Sequence, residues 1–304
     1  MKKSIPIFYD TRMNAVSGSD ISPSASKPQK FIQALQDQHF PIEIVPFEPV
    51  KREDFYTIHD KVHVDDILDC KKPNGFNTIS KDVSDSLYWT SGSMVSAALN
   101  ATKEMPTISS TSGFHHATYD EAMGFCSFNG IMLAVMKLLE KGLKPAVADY
   151  DCHFGNGTQN IIDKLNLNDK VFHYSAGKYF TKKSDVPKYL ASLDKVREKL
   201  SRFKPDVIIY NAGVDCHEND NLGGGFASTS DLYVRDHKMF TIAKELGASI
   251  CFSLAGGYQI ESDGTIPKVL ELHLNTVRAL QKVYHIESNN DDDGSTKIYK
   301  RKNQ

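Results

Sequence analysis

Apolar positions along this chain recur in two rhythms. Short runs rich in Val and Ile occur as IEIVPF near Ile42, PTISST near Ile108, PAVADYD from Pro145, KVFHYSA from Lys170, DVIIYNAG from Asp206 and SICFSLAGG from Ser249. Runs of this length and composition predict strands buried on both faces. Between them, residues 85–103, 125–140, 186–203, 230–246 and 266–284 have apolar side chains returning every three or four positions, which predicts helices. Ser230 followed by Asp231 is expected to start one helix, and Gly142 and Gly247 to stop two others. Strands alternating with helices predict an α/β protein, with a mostly parallel sheet covered by helices on both sides.

Neither repeats nor a low-complexity linker interrupts this pattern, so residues 1–284 are read as one domain. The last stretch, residues 285–304, has an acidic run followed by a basic one and lacks apolar periodicity, as expected of a solvated tail. Composition then narrows the partners. A net charge of -2 over 304 residues gives no global attraction to nucleic acid or to a membrane surface. No segment approaches the roughly 20 apolar residues of a membrane span. Five widely spaced cysteines, an odd number, suit reduced thiols, and a soluble protein of a reducing, cytoplasmic compartment is the expectation.

The candidate chemistry lies at the ends of the predicted strands. In ADYDCHFGNGTQ, Asp149, Asp151 and His153 alternate, and on an extended strand they would share one face. Two carboxylates and an imidazole so close call for a cation or hydrogen-bond donors between them. Three further strand ends deliver polar groups: His115 and His116 after PTISST, Asp215 after DVIIYNAG, and Gly256, Gly257 and Tyr258 after SICFSLA. Ligands collect at this edge of a parallel sheet. Asp151, His153 and Asp215 form a three-donor set that suits zinc, with ferrous iron as the other metal considered, and leaves positions open for water and a carbonyl. A neighbouring histidine could take the water's proton, and Tyr258 could donate to the oxyanion that develops. Together they point to metal-assisted hydrolysis.

Four motifs carry a resemblance: GFHHATYDEAMGFCSFN, DYDCHFGNGTQ, NAGVDCH and LAGGYQ, supported by IFYDTRM and SPSASKPQKF near the start. In this order and spacing they resemble the histone deacetylase and acetylpolyamine amidohydrolase family of the arginase-deacetylase fold. The resemblance implies a three-layer α/β/α domain around a mostly parallel eight-stranded sheet. It makes Asp151, His153 and Asp215 zinc ligands, Tyr258 the oxyanion donor, His116 the general base and His115 its electrostatic partner. Asp149 would pair with His115 and Asn156 with His116. Gly124 and Phe125 match residues lining an acyl-lysine tunnel, Gly256 and Gly257 accompany Tyr258, and Asp149 with Ser175 matches a potassium site.

The implied activity is removal of acetyl groups from lysine in histones or other proteins. An acetylpolyamine or other small-amide hydrolase would use the same residues, and a catalytically silent acyl-lysine binder would have lost Tyr258 or a ligand. The chain departs from the pattern at Phe154, where a histidine is usual, and in a shortened segment between Ser175 and Asp215. The short segment implies a shallower, more open site on that side, accepting bulkier acyl groups or completed by a partner subunit.

Overall fold

The apolar runs meet as a seven-stranded sheet in the computed structural model, which describes residues 3–287. The strands are β1 (Ile5–Phe8), β2 (Ile42–Val45), β3 (Thr107–Ser109), β4 (Pro145–Asp149), β5 (Phe172–Ser175), β6 (Val207–Asn211) and β7 (Ser249–Ser253). Their order is β2-β1-β3-β7-β6-β4-β5, and every pairing is parallel. Every residue of β4, β6 and β7 is buried, because helices cover both faces.

On one face lie α1 (Lys27–Asp37), α7 (Val186–Phe203), α8 (Thr229–Leu246) and α9 (Pro267–Tyr284); on the other lie α3 (Lys61–Leu68), α4 (Lys81–Asn100), α5 (Gly130–Glu140) and α6 (Asn156–Lys164), with the single turn α2 (Arg52–Phe55) beside them. The periodicity explains the packing. In α7 the buried Tyr189, Leu193, Val196 and Leu200 fall on one stripe. Helix α8 is capped by Ser228 rather than by Ser230: the Ser228 hydroxyl accepts the Asp231 N–H, and the Asp231 carboxylate accepts the Ser228 N–H. Gly247 ends it at a φ of 63°. No helix among the described residues is long and apolar enough to cross a membrane.

Two expectations need correction. The sheet has seven strands among the described residues, not eight, and the chain leaving β5 passes through two 3-10 turns, Ala176–Lys178 and Lys183–Asp185, straight into α7. Nothing is left to form a strand outside β5. Conversely, β1 was not among the predicted strands; Pro6 inside the four-residue run IPIF masks it. The charged stretch after Glu287 lies outside the described residues.

Burial also makes the fold sensitive to acid. His59 is enclosed under α5, its Nδ1–H donating to Thr118 O at 2.8 Å and its Nε2 accepting the Asn129 N–H at 2.9 Å. Desolvation lowers its pKa to about 3, and that of the neighbouring His63 to about 4. Both are neutral when folded and titrate near 6.5 when unfolded, so the unfolded state gains protons first as pH falls. Their contribution is complete above the unfolded pKa and is lost from about pH 6.5 downward, by about 2 kcal/mol for each group at pH 5. Denaturant midpoints of the metal-free protein should therefore fall between pH 7.5 and 5. His63, whose ring nitrogens have no hydrogen-bond partner, can be replaced by leucine, and His63→Leu should recover about 2 kcal/mol of that loss. An unchanged pH dependence in this variant would show that His63 is not held neutral.

Candidate metal and catalytic site

The four strand ends that carry the polar motifs belong to adjacent strands. Strands β3, β7, β6 and β4 lie side by side at the centre of the sheet, and their carboxyl ends open onto one place. Strand β4 stops at Asp149, so Asp151 and His153 do not continue one extended face. They lie in the turn beyond, where Asp151 Oδ1 accepts the His153 N–H at 2.9 Å and folds the imidazole back over the carboxylate. The turn, rather than strand alternation, makes them converge.

Around His153 Nδ1 stand Asp151 Oδ1 at 3.1 Å and Asp215 Oδ2 at 2.9 Å, while Nε2 faces the Leu222 carbonyl at 3.1 Å. With Nε2 donating its proton to that carbonyl, Nδ1 is free to act as a ligand. Cys152 also approaches, its sulfur 3.9 Å from the His153 ring nitrogens, and Cys152, His153 and Asp215 form a cluster of metal-donor type. Asp215 Oδ1 accepts the Cys152 N–H, but buried Oδ2 accepts no hydrogen bond of good geometry. An orphaned carboxylate oxygen aimed at a second carboxylate and an imidazole fits a bound cation. Electrostatics agree. Burial and the charge of Asp151 push Asp215 well above the usual carboxylate range, whereas burial would raise Asp151 but His115 and His153 hold it below that range. The two carboxylates raise His153.

The tandem histidines occupy different environments. His115 Nδ1 lies 2.9 Å from Asp149 Oδ2, and its Nε2 3.7 Å from Asp151. Burial alone would lower its pKa, but these carboxylates raise it to about 9. His116 Nδ1 donates to Asn156 Oδ1 at 2.6 Å, a neutral partner, and burial with the charge on His115 lowers its pKa to about 4. Asp149 accepts two further bonds on Oδ1, from the Asp151 N–H and Asn211 Nδ2. Ser175 is in register with Asp149 on β5 and accepts the Gly155 N–H.

Tyr258 closes the opposite side. Its ring faces that of Phe125 at 5.5 Å between centroids, and Phe125 in turn faces Phe76. Phe125 holds a positive φ of 62°, a costly backbone state for an aromatic residue, and Gly124 before it backs directly onto the His116 ring. Gly256 sits at a φ of 58°, where a Cβ would come 2.4 Å from Asp215 Cγ, so only glycine lets this turn pass the carboxylate. Gly257 is likewise at a positive φ, wedged against Val214 and Val269. On the side of the shortened segment, Gly177 passes beneath the His153 carbonyl. The His153 side chain is 36% exposed, against 0% for Asp215, so solvent reaches the imidazole.

Sequence reasoning missed three residues that hold these parts. Asp220 accepts the N–H groups of Tyr258, Leu222 and Gly223, tying the tyrosine to the loop that contacts His153. Lys27 is fully buried and donates to Ser112 Oγ and to the carbonyls of Leu254 and Gly256; burial lowers its pKa to about 8. Arg235 is equally buried behind the metal-side turns. A lysine and an arginine on helices read as solvated surface in a sequence, and only the fold places them inside.

Fold and donor set thus define a class: a three-layer α/β protein with an Asp–His–Asp cluster, a histidine pair and a tyrosine at the carboxyl edge of a parallel sheet. The model of the histone deacetylase domain matches residues 23–184 and 179–275. The chain belongs to the histone deacetylase domain family. It is 32% identical over 198 residues to histone deacetylase 2 of Arabidopsis thaliana, covering 59% of this chain and 51% of that protein. Histone deacetylase 18 of the same plant is 30% identical over 257 residues, covering 68% of this chain and 37% of the relative. The chain thus matches about half the length of the first of these relatives and less of the second. Among solved structures, the HDA15 HD domain superposes with a TM-score of 0.70 at 18% identity, covering 93% of this chain and 95% of that one. The acetylpolyamine aminohydrolase from Burkholderia pseudomallei gives 0.69 at 15% identity, covering 92% and 99%. At such identities these two show a shared fold.

Proposed function

We propose that this chain is a zinc-dependent deacylase that hydrolyses the amide of N-acyl-lysine in a protein. The observation that carries the reading is the convergence of Asp151, His153 and Asp215, with the Asp215 Oδ2 orphaned in their midst, beside a histidine whose base nitrogen is left free. A divalent ion held by these three residues would polarise the amide carbonyl and acidify an adjacent water. The protein supplies the rest. Asn156 holds the proton of His116 on Nδ1, so Nε2 is the acceptor for the water's proton and can return it to the leaving lysine nitrogen. His115, kept cationic by Asp149, adds positive charge where the tetrahedral oxyanion builds up, and the Tyr258 hydroxyl donates to that oxygen. The Phe125 and Tyr258 rings would flank the lysine's methylene chain. Asp149 and Ser175, facing each other across β4 and β5, are the proposed monovalent-cation pair.

Solvent access to the His153 imidazole supports tolerance of acyl groups larger than acetyl. Purified protein loaded with zinc should deacylate a fluorogenic acetyl-lysine peptide and lose that activity to a hydroxamate chelator. Across a series of acyl lengths on the same peptide, kcat/KM should hold or rise beyond acetyl. A strict acetyl preference would remove that support, and turnover confined to acetylated polyamines would replace the protein substrate with a small amine. Stoichiometric zinc with no turnover on any of these would point to an acyl-lysine binding protein.

A further inference from the structure

We propose that Arg235 is a positioning residue that sets the separation of the two metal-ligand turns; this rests on the metal reading of the site. The ladder between β4 and β6 ends at the pair Asp149–Asn211, and the Tyr150 N–H makes the last backbone bond, to Asn211 O. Beyond that point the strands part, one running to Asp151 and His153 and the other to Asp215. The carbonyls of Tyr150 and Gly213 have therefore left the ladder, and buried carbonyls need new donors.

Tyr150 O receives the Tyr189 hydroxyl at 3.4 Å and the Cys216 thiol at 3.5 Å, but one side chain reaches both carbonyls. From α8, the Nη1 group of Arg235 donates to Tyr150 O at 3.2 Å and to Gly213 O, and lies 3.0 Å from the Tyr189 hydroxyl. Tyr150 immediately precedes Asp151, and Gly213 stands two residues before Asp215, so the guanidinium grips each turn next to its ligand. The turns also touch. A Cβ on Gly213 would come 2.3 Å from Asp151 Cα, so the backbones meet with no side chain between them, and a small change in the grip is passed straight to the carboxylates.

The guanidinium is itself fixed on its other edge. Nε donates to Asp236 Oδ1 at 2.8 Å, Nη2 lies 2.7 Å from the same oxygen as an ion pair without hydrogen-bond geometry, and the Asp236 carboxylate accepts from the Tyr210 and Thr276 hydroxyls. Arg235 and Asp236 are essentially unexposed. A buried ion pair is a poor way to stabilise a core, since apolar residues of equal volume usually do as well. What an apolar residue cannot do is bond two diverging carbonyls at once; Nη1 does so while Nε, on the other edge of the planar fork, is anchored on Asp236.

The test compares Arg235→Lys, which keeps the charge but has one nitrogen for the two carbonyls and Asp236 together, with Tyr189→Phe, which removes the longer hydroxyl contact to Tyr150 O and leaves both arginine contacts. Zinc affinity is read by chelator competition, ligand geometry by the visible absorption of the cobalt-substituted protein, and folding by denaturant midpoint. Arg235→Lys should weaken zinc by about 10–100-fold and change the cobalt band, as expected when a partner that orients ligands is lost. Tyr189→Phe should lower the midpoint with zinc affinity and cobalt band unchanged. If Arg235→Lys does not fold, Asp236→Asn, which loosens the hold on the guanidinium, should weaken zinc in the same direction. Wild-type zinc affinity and cobalt spectrum in Arg235→Lys, or in Asp236→Asn where only that variant folds, would overturn the inference and leave the metal site standing. Wild-type protein that takes up neither zinc nor cobalt would overturn the metal reading and this inference together.

Discussion

Tyr258→Phe should lower kcat for deacylation by about 10²–10³-fold, the usual consequence of removing one oxyanion donor, while leaving zinc content and the folded structure intact. The change deletes one hydroxyl and keeps the ring, so the packing against Phe125 at 5.5 Å is retained. The backbone of residue 258 stays tied to Asp220 through its N–H, so the turn does not move. Because the donor acts only on charge that develops during reaction, KM should change far less than kcat. The comparison requires steady-state kinetics of both proteins at matched zinc occupancy. Equal losses in zinc binding and turnover would mean that the tyrosine shapes the site, and an unchanged kcat would remove it from the mechanism.

Asp215→Asn is expected to have the larger effect, abolishing stoichiometric zinc binding and turnover together. A neutral amide replaces a charged ligand, so the drop in affinity should exceed the roughly 10–100-fold that follows loss of a group merely hydrogen-bonded to a ligand. Stability should move the other way. Asp215 is wholly buried beside the like charge of Asp151, and removing one of two carboxylates leaves Asp151 paired with His153. The metal-free variant should therefore unfold no earlier than metal-free wild type, and the zinc-dependent rise in midpoint should vanish in the variant alone. A variant that binds zinc as wild type does would show that the Asp–His–Asp cluster is not the metal site. A metal-free variant that unfolds well below wild type would mean that Asp215 holds the fold rather than serving the ion.

These outcomes separate what the chain carries in its sequence from what folding adds. Strands β4, β6 and β7 were legible because burial on both faces demands uninterrupted apolar residues, and α7 was placed to the residue by its apolar stripe. Helix α1 was not among the predicted helices, and neither was α3: the first follows a serine-rich turn, and the second is only eight residues long, too short for its period to stand out. The candidate site residues were legible for a different reason. Asp149, Asp151 and His153 lie within one short segment, and His115 with His116 within another, so spacing marks them as candidates, whereas Asn156 is singled out only by the family resemblance.

Sequence by itself thus determined the order of strands and helices along the chain, the α/β class and the residue types gathered at strand ends, because each depends on neighbours within a few positions. Tertiary structure decided that β3, β7, β6 and β4 lie side by side, which brings four distant motifs to one edge. It decided that the sheet stops at β5, that His153 turns its Nδ1 toward two carboxylates, and that Lys27 and Arg235 are buried to hold backbone carbonyls around the site. The physical reason is common to all of these. Burial and hydrogen bonding are properties of groups far apart in the chain, and a charged side chain carries no local mark of whether its partners will be water or two carbonyls beyond the end of a strand.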